Sequence, residues 1–226
     1  MKLSKRLDAI SKLVEKYKHG EVLADIGSDH GYLPCDLVSR GVIEKAYACD
    51  IAEGPLNASI ENIQINQLEN KVIPLLGSGM NPIIGKKVNM ISIAGMGGIL
   101  MVEILNEYRD LLKNYRFVLQ ANVGIEILRE YLDKNHLKII DEGIVEDAHH
   151  IYEIIVCEYD ESTSYTKEDY YFGPILRKNK NDLFYKKWQR MLEQQKKILS
   201  SLSINHPKYK EVLALIEMIE GELSVS

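Results

Sequence analysis

The feature that most constrains the fold is an alternation that begins after residue 20. Short runs rich in apolar and β-branched residues are VLADIG (22–27), KAYACD (45–50), VIPLLG (72–77), VNMISIAG (88–95) and RFVLQAN (116–122). Stretches of helical pattern lie between them at 31–41, 54–68, 97–113 and 124–136. Strands alternating with helices predict a parallel sheet with right-handed crossovers, since a twisted sheet accepts the return of a helix in only one sense. VNMISIAG has no polar alternation and is expected as a central strand buried on both faces. Ahead of the alternation, Leu3, Leu7, Ile10, Val14 and Tyr17 recur three or four apart, which predicts an amphipathic helix ended by Gly20.

After the last helical stretch the pattern changes. LKIIDEGIVED (137–147) and HIYEIIVCEYD (150–160) are strand-like runs with no room for a helix between them. They predict an antiparallel hairpin closing one edge of the sheet. Five parallel strands followed by such a hairpin give an α/β doubly wound, Rossmann-like sheet of the class I methyltransferase arrangement; a plain dinucleotide dehydrogenase usually continues with another parallel unit. From about Tyr165 the composition shifts to Tyr, Lys, Asn and Gln. Phe184, Trp188, Met191, Gln195, Ile198 and Leu202, then Val212, Ile216, Ile219 and Leu223, keep a four-three spacing broken at Asn205–His206–Pro207. That spacing predicts a C-terminal α-helical coiled-coil hairpin. The expected division is a catalytic domain over 1–160 and the hairpin over 161–226.

Composition narrows the function classes. With 28 Lys+Arg against 33 Asp+Glu the net charge is −5, which excludes a uniformly basic nucleic-acid coat but not a local basic face. No apolar run approaches the ~18 residues of a membrane span, and the N-terminal segment lacks the continuous apolar stretch of a signal peptide. Cys35, Cys49 and Cys157 show no CxxC spacing, so reduced thiols in a cytoplasmic protein without a metal site are expected.

Four motifs carry the chemistry. In LADIGSDHGYLP (23–34) a strand ends at Asp25–Ile26–Gly27, a tight turn follows, and Gly31 opens a helix. The spacing Gly27–Ser28–Asp29–His30–Gly31 is not the dinucleotide fingerprint. Aspartate at 29 repels a pyrophosphate but suits a sulfonium or an amine, which favours S-adenosylmethionine over NAD. In CDIAEGPL (49–56), Asp50 ends the second strand, where an acid accepts hydrogen bonds from ribose hydroxyls; alone it reads equally as a helix cap. In GSGM (77–80), Ser78 stands where many methyltransferases carry an acid for the adenine amino group, and a plain loop fits nearly as well. In ISIAGMGGIL (91–100), Gly95, Gly97 and Gly98 admit close approach of a substrate or serve packing, and the Asp/Asn-Pro-Pro-aromatic mark of adenine-amino methylation is absent. Asn122 ends strand five at the ligand-binding edge. His149 and His150 fall in the hairpin turn and read as solvated.

Two basic segments stand out. Lys2, Lys5, Arg6, Lys12, Lys16 and Lys18 surround the first helix against Asp8 and Glu15, and nine Lys/Arg between 167 and 197 outnumber four acids, interleaved with Tyr170, Tyr171, Phe172, Tyr185 and Trp188. Such patches suit phosphate contact and base stacking, or are solvated helix faces.

DIGSDHGYLP, ACDIAEGPLNAS, IAGMGG, LQANVG and the C-terminal helical hairpin together resemble the bacterial tRNA (adenine-22-N1)-methyltransferase family, TrmK, along the whole chain and in motif order. The resemblance implies methylation of adenine N1 in tRNA. It implies S-adenosylmethionine contacts at Asp25, Gly27, Ser28, Asp29, His30, Gly31, Asp50, Ile51, Gly77, Ser78, Gly79, Met80, Ala94 and Gly95. Motif position alone makes Asp29 the candidate carboxylate favouring the cationic product and Asn122 the candidate hydrogen-bonding partner of the adenine edge. tRNA would be held by the basic hairpin and the N-terminal helix of a monomer or weak dimer. Aspartate would be expected at Ser78 and proline at Ala121. The competing reading keeps the fold and gives a small molecule or protein as substrate, with the hairpin serving dimerisation.

Overall fold

The computed structural model describes residues 3–162 and 164–225, which form two compact units, Met1–Ile175 and Leu176–Ser226. Residues 161–175, expected with the hairpin, therefore belong to the first unit.

The first unit opens with α1 (Lys5–Lys16), whose cap Ser4 accepts from the Leu7 N–H and whose Ile10 and Val14 are fully buried. This helix ends at Lys16, short of the expected Gly20. There follow β1 (Val22–Ile26), α2 (Tyr32–Ser39), β2 (Lys45–Asp50), α3 (Glu53–Ile65), β3 (Val72–Leu76), β4 (Met90–Met96), α4 (Gly98–Glu107), β5 (Arg116–Ala121), α5 (Ile125–Lys134), β6 (Leu137–Asp147), β7 (His150–Tyr159) and α6 (Lys167–Phe172). The helix expected over 97–113 is divided, α4 being followed by a tighter 3-10 turn, Arg109–Asn114, that seats Leu112 in the core.

The seven strands run in the order β3-β2-β1-β4-β5-β7-β6. β1 to β5 are mutually parallel, β7 lies antiparallel to β5, and β6 pairs antiparallel with β7 at the edge, as the hairpin reading predicts. Ala148 and His149 make the turn, both with positive φ, the twist that a two-residue hairpin loop needs. Pro74 sits in β3 without disrupting a ladder because β3 is an edge strand. Neighbouring strand residues face opposite ways. Ala24, Ile91 and Phe117 pack with Met101, Leu105, Leu128 and Leu132 of α4 and α5. Leu23, Met90 and Val118 pack with Ile10, Val14, Leu37 and Ile63 on the other face. β4, between β1 and β5, is the doubly buried strand: Met90, Ile91, Ser92 and Ile93 are at most 1% exposed.

The second unit holds α7 (Asp182–Ser201), capped by Asn181, and α8 (Tyr209–Ser224). Lys180 Nζ donates to the carbonyls of Glu222 and Val225, so the end of α8 returns to the start of α7 and the pair is antiparallel. Phe184, Trp188, Val212, Ile216 and Ile219 are buried. Toward the loop the stripe opens, with Ile198 and Ile204 exposed.

Candidate active site

The order reversal between β1 and β4 opens a crevice at the carboxyl ends of the strands, where open α/β sheets take their ligands. β1 delivers Asp25 to its floor. Asp25 is 5% exposed and accepts from Ser92 Oγ at 2.6 Å and Ser28 Oγ at 2.7 Å. Burial pushes its carboxyl above the usual carboxylate range; the two serines pull it back only in part, and Asp50 adds to the rise.

Beyond β1 the chain turns because the N–H groups of Gly27 and Ser28 both donate to the Cys49 carbonyl at 2.9 Å. Gly27 has φ +72°, and a Cβ there would fall 2.1 Å from Met96 Cε. Asp29, His30 and Gly31 then hold three consecutive positive φ angles. For the two non-glycine residues this costs about 1–2 kcal/mol each, the kind of strain that persists where surrounding structure enforces it at functional sites. Here the His30 ring stacks on Tyr32, with centroids 5.3 Å apart, and the His30 carbonyl accepts from Asn62. The Asp29 side chain is 70% exposed and lies 3.5 Å from His30 Nε2.

At the end of β2, one carboxylate oxygen of Asp50 accepts from the Ala52 N–H at 2.9 Å, where α3 begins. The N-cap of α3 is Ala52 and carries no side-chain cap bond, so Asp50 is not the helix cap; its one oxygen closes an Asx-type turn ahead of the helix and the other is left for a ligand. The Asp50 carbonyl accepts from Gly77 N–H and so draws the GSGM loop alongside.

At the ends of β4 and β5 a side-chain network closes the floor. Gln120, fully buried, accepts at Oε1 from Arg6 Nη1 at 2.5 Å and Gly95 N–H at 3.2 Å, and donates to Asn122 Oδ1 at 3.1 Å. Asn122 Nδ2 donates to the Gly95 carbonyl at 2.6 Å. Of the three loop glycines, Gly98 serves packing: a Cβ would lie 2.0 Å from the Gly124 carbonyl oxygen.

These groups border a cavity of about 790 Å³. Asp25, Gly27, Ser28, Asp29, His30, Asp50, Ile51, Gly77, Ser78, Gly79, Ala94 and Gly95 line it. Gly31 and Met80 stand behind the wall, the first as the left-handed cap of α2 and the second fully buried. Asn122 is exposed and is not among the residues that line the cavity; its side chain donates to the carbonyl of Gly95, which does line it. Arg6 and Ile104 also line it from outside the four motifs, and Tyr32, Met96 and Leu100 from motif positions that the sequence reading did not single out. Arg6 reaches across 114 residues to Gln120, a distance no spacing rule reads. The lining carries three carboxylates, Asp25, Asp29 and Asp50, against the Arg6 guanidinium, a set that fits a ligand bearing two cations and a carboxylate.

The sequence profile of the tRNA (adenine(22)-N(1))-methyltransferase family, TrmK, matches residues 23–221. The tRNA (adenine(22)-N(1))-methyltransferase of Bacillus subtilis is 34% identical, covering 97% of this chain and 96% of its own. The chain belongs to the TrmK family. Among solved structures, a putative tRNA (m1A22) methyltransferase of Streptococcus pneumoniae in complex with S-adenosyl-L-methionine superposes with a TM-score of 0.90 at 34% identity, covering 98% of this chain and 100% of that one. M. capricolum TrmK in complex with S-adenosyl-homocysteine gives 0.86 at 27% identity, with 99% and 98% covered.

The basic segments are less available than their sequence suggests. Around α1, Lys12, Lys16 and Lys18 are paired with Asp8, Asp141 and Glu21, and Lys2 lies outside the described residues. In the second unit, Arg177 and Lys180 converge on the buried Glu222, and Lys196 on Glu220. The three cysteines are buried thiols, with burial raising Cys35 to about 11 and Cys49 to about 12. Among the described residues no group of three His, Cys, Asp or Glu could hold a metal, and no helix is long and apolar enough to cross a membrane.

Proposed function

We propose that this chain methylates N1 of adenine 22 in tRNA, with S-adenosylmethionine as donor. The observation that carries the reading is the cavity at the β1/β4 reversal, whose lining sets three carboxylates against one guanidinium. When bound, S-adenosylmethionine supplies an electrophilic methyl group on a cationic sulfur. N1 of neutral adenine carries an in-plane lone pair, so no proton leaves before attack. The N1–C bond forms as the C–S bond breaks, and the positive charge passes from sulfur to the base.

The residues of the chain then act by position. Asp50 holds the ribose hydroxyls, Ser78 and the backbone of the 77–80 loop take the adenine end, and the Gly27–Gly31 turn seats the amino-acid arm. Gly31 and Met80 fix those loops from behind. Asp29 at the cavity wall favours the cationic base that forms, and Asn122 offers its amide edge to the adenine while bracing the Gly95 carbonyl. N1 lies on the Watson–Crick edge, so the adenine must be unstacked and extruded before reaction. The helical hairpin and the α1 face grip the tRNA backbone, with Lys178 and Lys197 as hairpin cations that have no carboxylate partner among the described residues. A cytoplasmic location follows from that substrate.

The test is a reaction of labelled S-adenosylmethionine with unmodified tRNA transcripts, read by nucleoside mass spectrometry. N1-methyladenosine that vanishes when adenine 22 is replaced is expected. Methylation that survives the replacement, or none with the cofactor bound, overturns the reading. Asp29→Asn and Asn122→Ala are expected to lower the single-turnover rate by about tenfold or more; wild-type rates in both would remove those roles.

A further inference from the structure

The roles above leave one charged group of the cavity unassigned. Arg6 is the sole Lys or Arg among the described residues that line it. Its backbone N–H donates to Asp147 Oδ2 at 3.0 Å, which ties the start of α1 to the end of β6. Its guanidinium lies 5.4 Å over the Tyr152 ring and donates from Nη1 to Gln120. Gln120 is buried and holds the Gly95 N–H with the same oxygen, so it cannot swing away. The fork is therefore fixed from two sides, and one of its five N–H groups is spent on Gln120.

We propose that Arg6 is the carboxylate subsite of the cofactor, its free edge holding the amino-acid carboxylate of S-adenosylmethionine. The inference rests on the function proposed above. A cavity with three acids suits the ammonium and sulfonium of that ligand but repels its carboxylate, and Arg6 is the compensating charge within reach. The spacing agrees. Asp50 ends β2, while Arg6 sits against Gly95 of β4, where a Cβ would lie 3.0 Å from Nη1. With β1 between them, two strand spacings separate the sites by about 10 Å, the scale of the reach from ribose to carboxylate. The target adenine is the poorer partner for this guanidinium, because the base becomes cationic as it is methylated.

The experiment is calorimetric titration of S-adenosylhomocysteine, its carboxyl methyl ester and 5′-methylthioadenosine into wild type, Arg6→Met and Arg6→Lys. Wild type is expected to prefer the free acid over the ester by on the order of 10- to 100-fold. In Arg6→Met that preference collapses, while methylthioadenosine binds as it does to wild type and shows the cavity intact. Arg6→Lys falls between, since a point charge replaces a fork. An acid preference retained in Arg6→Met overturns the inference, and so does a loss confined to tRNA affinity, which would make Arg6 a phosphate contact. Wild type alone also decides: equal binding of acid and ester overturns the subsite. Wild type that binds none of the three ligands overturns the proposed function and the subsite with it.

Discussion

Two groups of buried charge in the first unit make opposite use of the same chemistry. Arg129 of α5 is fully buried between Glu142 of β6 and Glu153 of β7, with contacts of 2.7 and 2.8 Å. Its third nitrogen donates to the carbonyls of Tyr170 and Tyr171, and Glu142 also accepts from the Ile175 N–H. Every arm of this cluster ends on the protein. Burial works against the Arg129 charge, but the two glutamates outweigh it and hold the group protonated. Asp25 is equally enclosed from below yet borders a cavity, and hydroxyl groups rather than a cation touch it. The first cluster is closed and fastens α5, the hairpin and the 170–175 segment together. The second keeps unneutralised negative charge beside a space of ligand size. Buried charge is costly in both places, and the place where its compensation is missing marks the binding site.

Removing the cation from the closed cluster is expected to have the largest effect. Arg129→Met takes the cation away from two buried glutamates and should cost about 3–5 kcal/mol in urea unfolding. A loss below about 1 kcal/mol would show that the cluster is not the fastening it looks to be. Two glycines compare the regions next. Gly173, at φ +85°, would place a Cβ 2.6 Å from Glu142 and 2.7 Å from Arg129, both locked by their mutual bonds. Gly27 would place one against the far end of the flexible Met96 side chain. Gly173→Ala should therefore destabilise by about 2–3 kcal/mol and Gly27→Ala by about 1–2. Gly27→Ala should also weaken cofactor binding, which calorimetry separates from stability.

The smallest effect is one of pH. The folded Asp25 carboxyl is raised above its ordinary value of 3.8. The stability it contributes is complete below that ordinary value and is lost as pH rises through the raised one. Ligand-free wild type should thus lose ground to Asp25→Asn as pH climbs from about 4, and the gap should level off once the buried carboxyl is ionised. Comparing the two proteins cancels the parallel rise at Glu142, where burial likewise lifts the carboxyl. Urea midpoints between about pH 4 and 8 give the sign, and a gap that moves the other way would mean that the site favours the charged form.

The same contrast explains what the sequence made legible. The site's glycines and acids sit at strand ends, in short motifs whose order follows the alternation, so Asp25, Gly27, Asp50 and Gly95 are readable from the string. The parallel sheet and its antiparallel closing hairpin are readable too, from the alternation and the place where it ends, but the order β3-β2-β1-β4-β5-β7-β6 is not, because the hand of a crossover does not fix which strands are neighbours. Arg6 is not readable: its helix advertises amphipathicity, and its partner Gln120 lies on a distant strand. Nor is the Arg129 cluster, whose members are 13 and 24 residues apart and look like ordinary surface charge in amphipathic segments. Gly98 shows the converse error, a motif glycine whose neighbour is the Gly124 backbone rather than a ligand. Ser78 and Ala121, where the resemblance leads to an expectation of aspartate and proline, fall on a cavity loop and on the buried end of β5 respectively. Within the charge runs, Asp141, Glu222 and Glu220 take up cations that a window of sequence leaves unpaired.

The most direct measurement is thermal unfolding of wild type and Asp25→Asn near pH 7, each with and without S-adenosylmethionine. Asp25→Asn is expected to unfold, ligand-free, at or above the wild-type temperature, and the cofactor to raise Tm for wild type but not for the variant. A variant that collapses without ligand, as Arg129→Met is expected to, would make Asp25 a structural charge. A variant stabilised by the cofactor as fully as wild type would contradict the claim that its uncompensated carboxylate is there for the ligand.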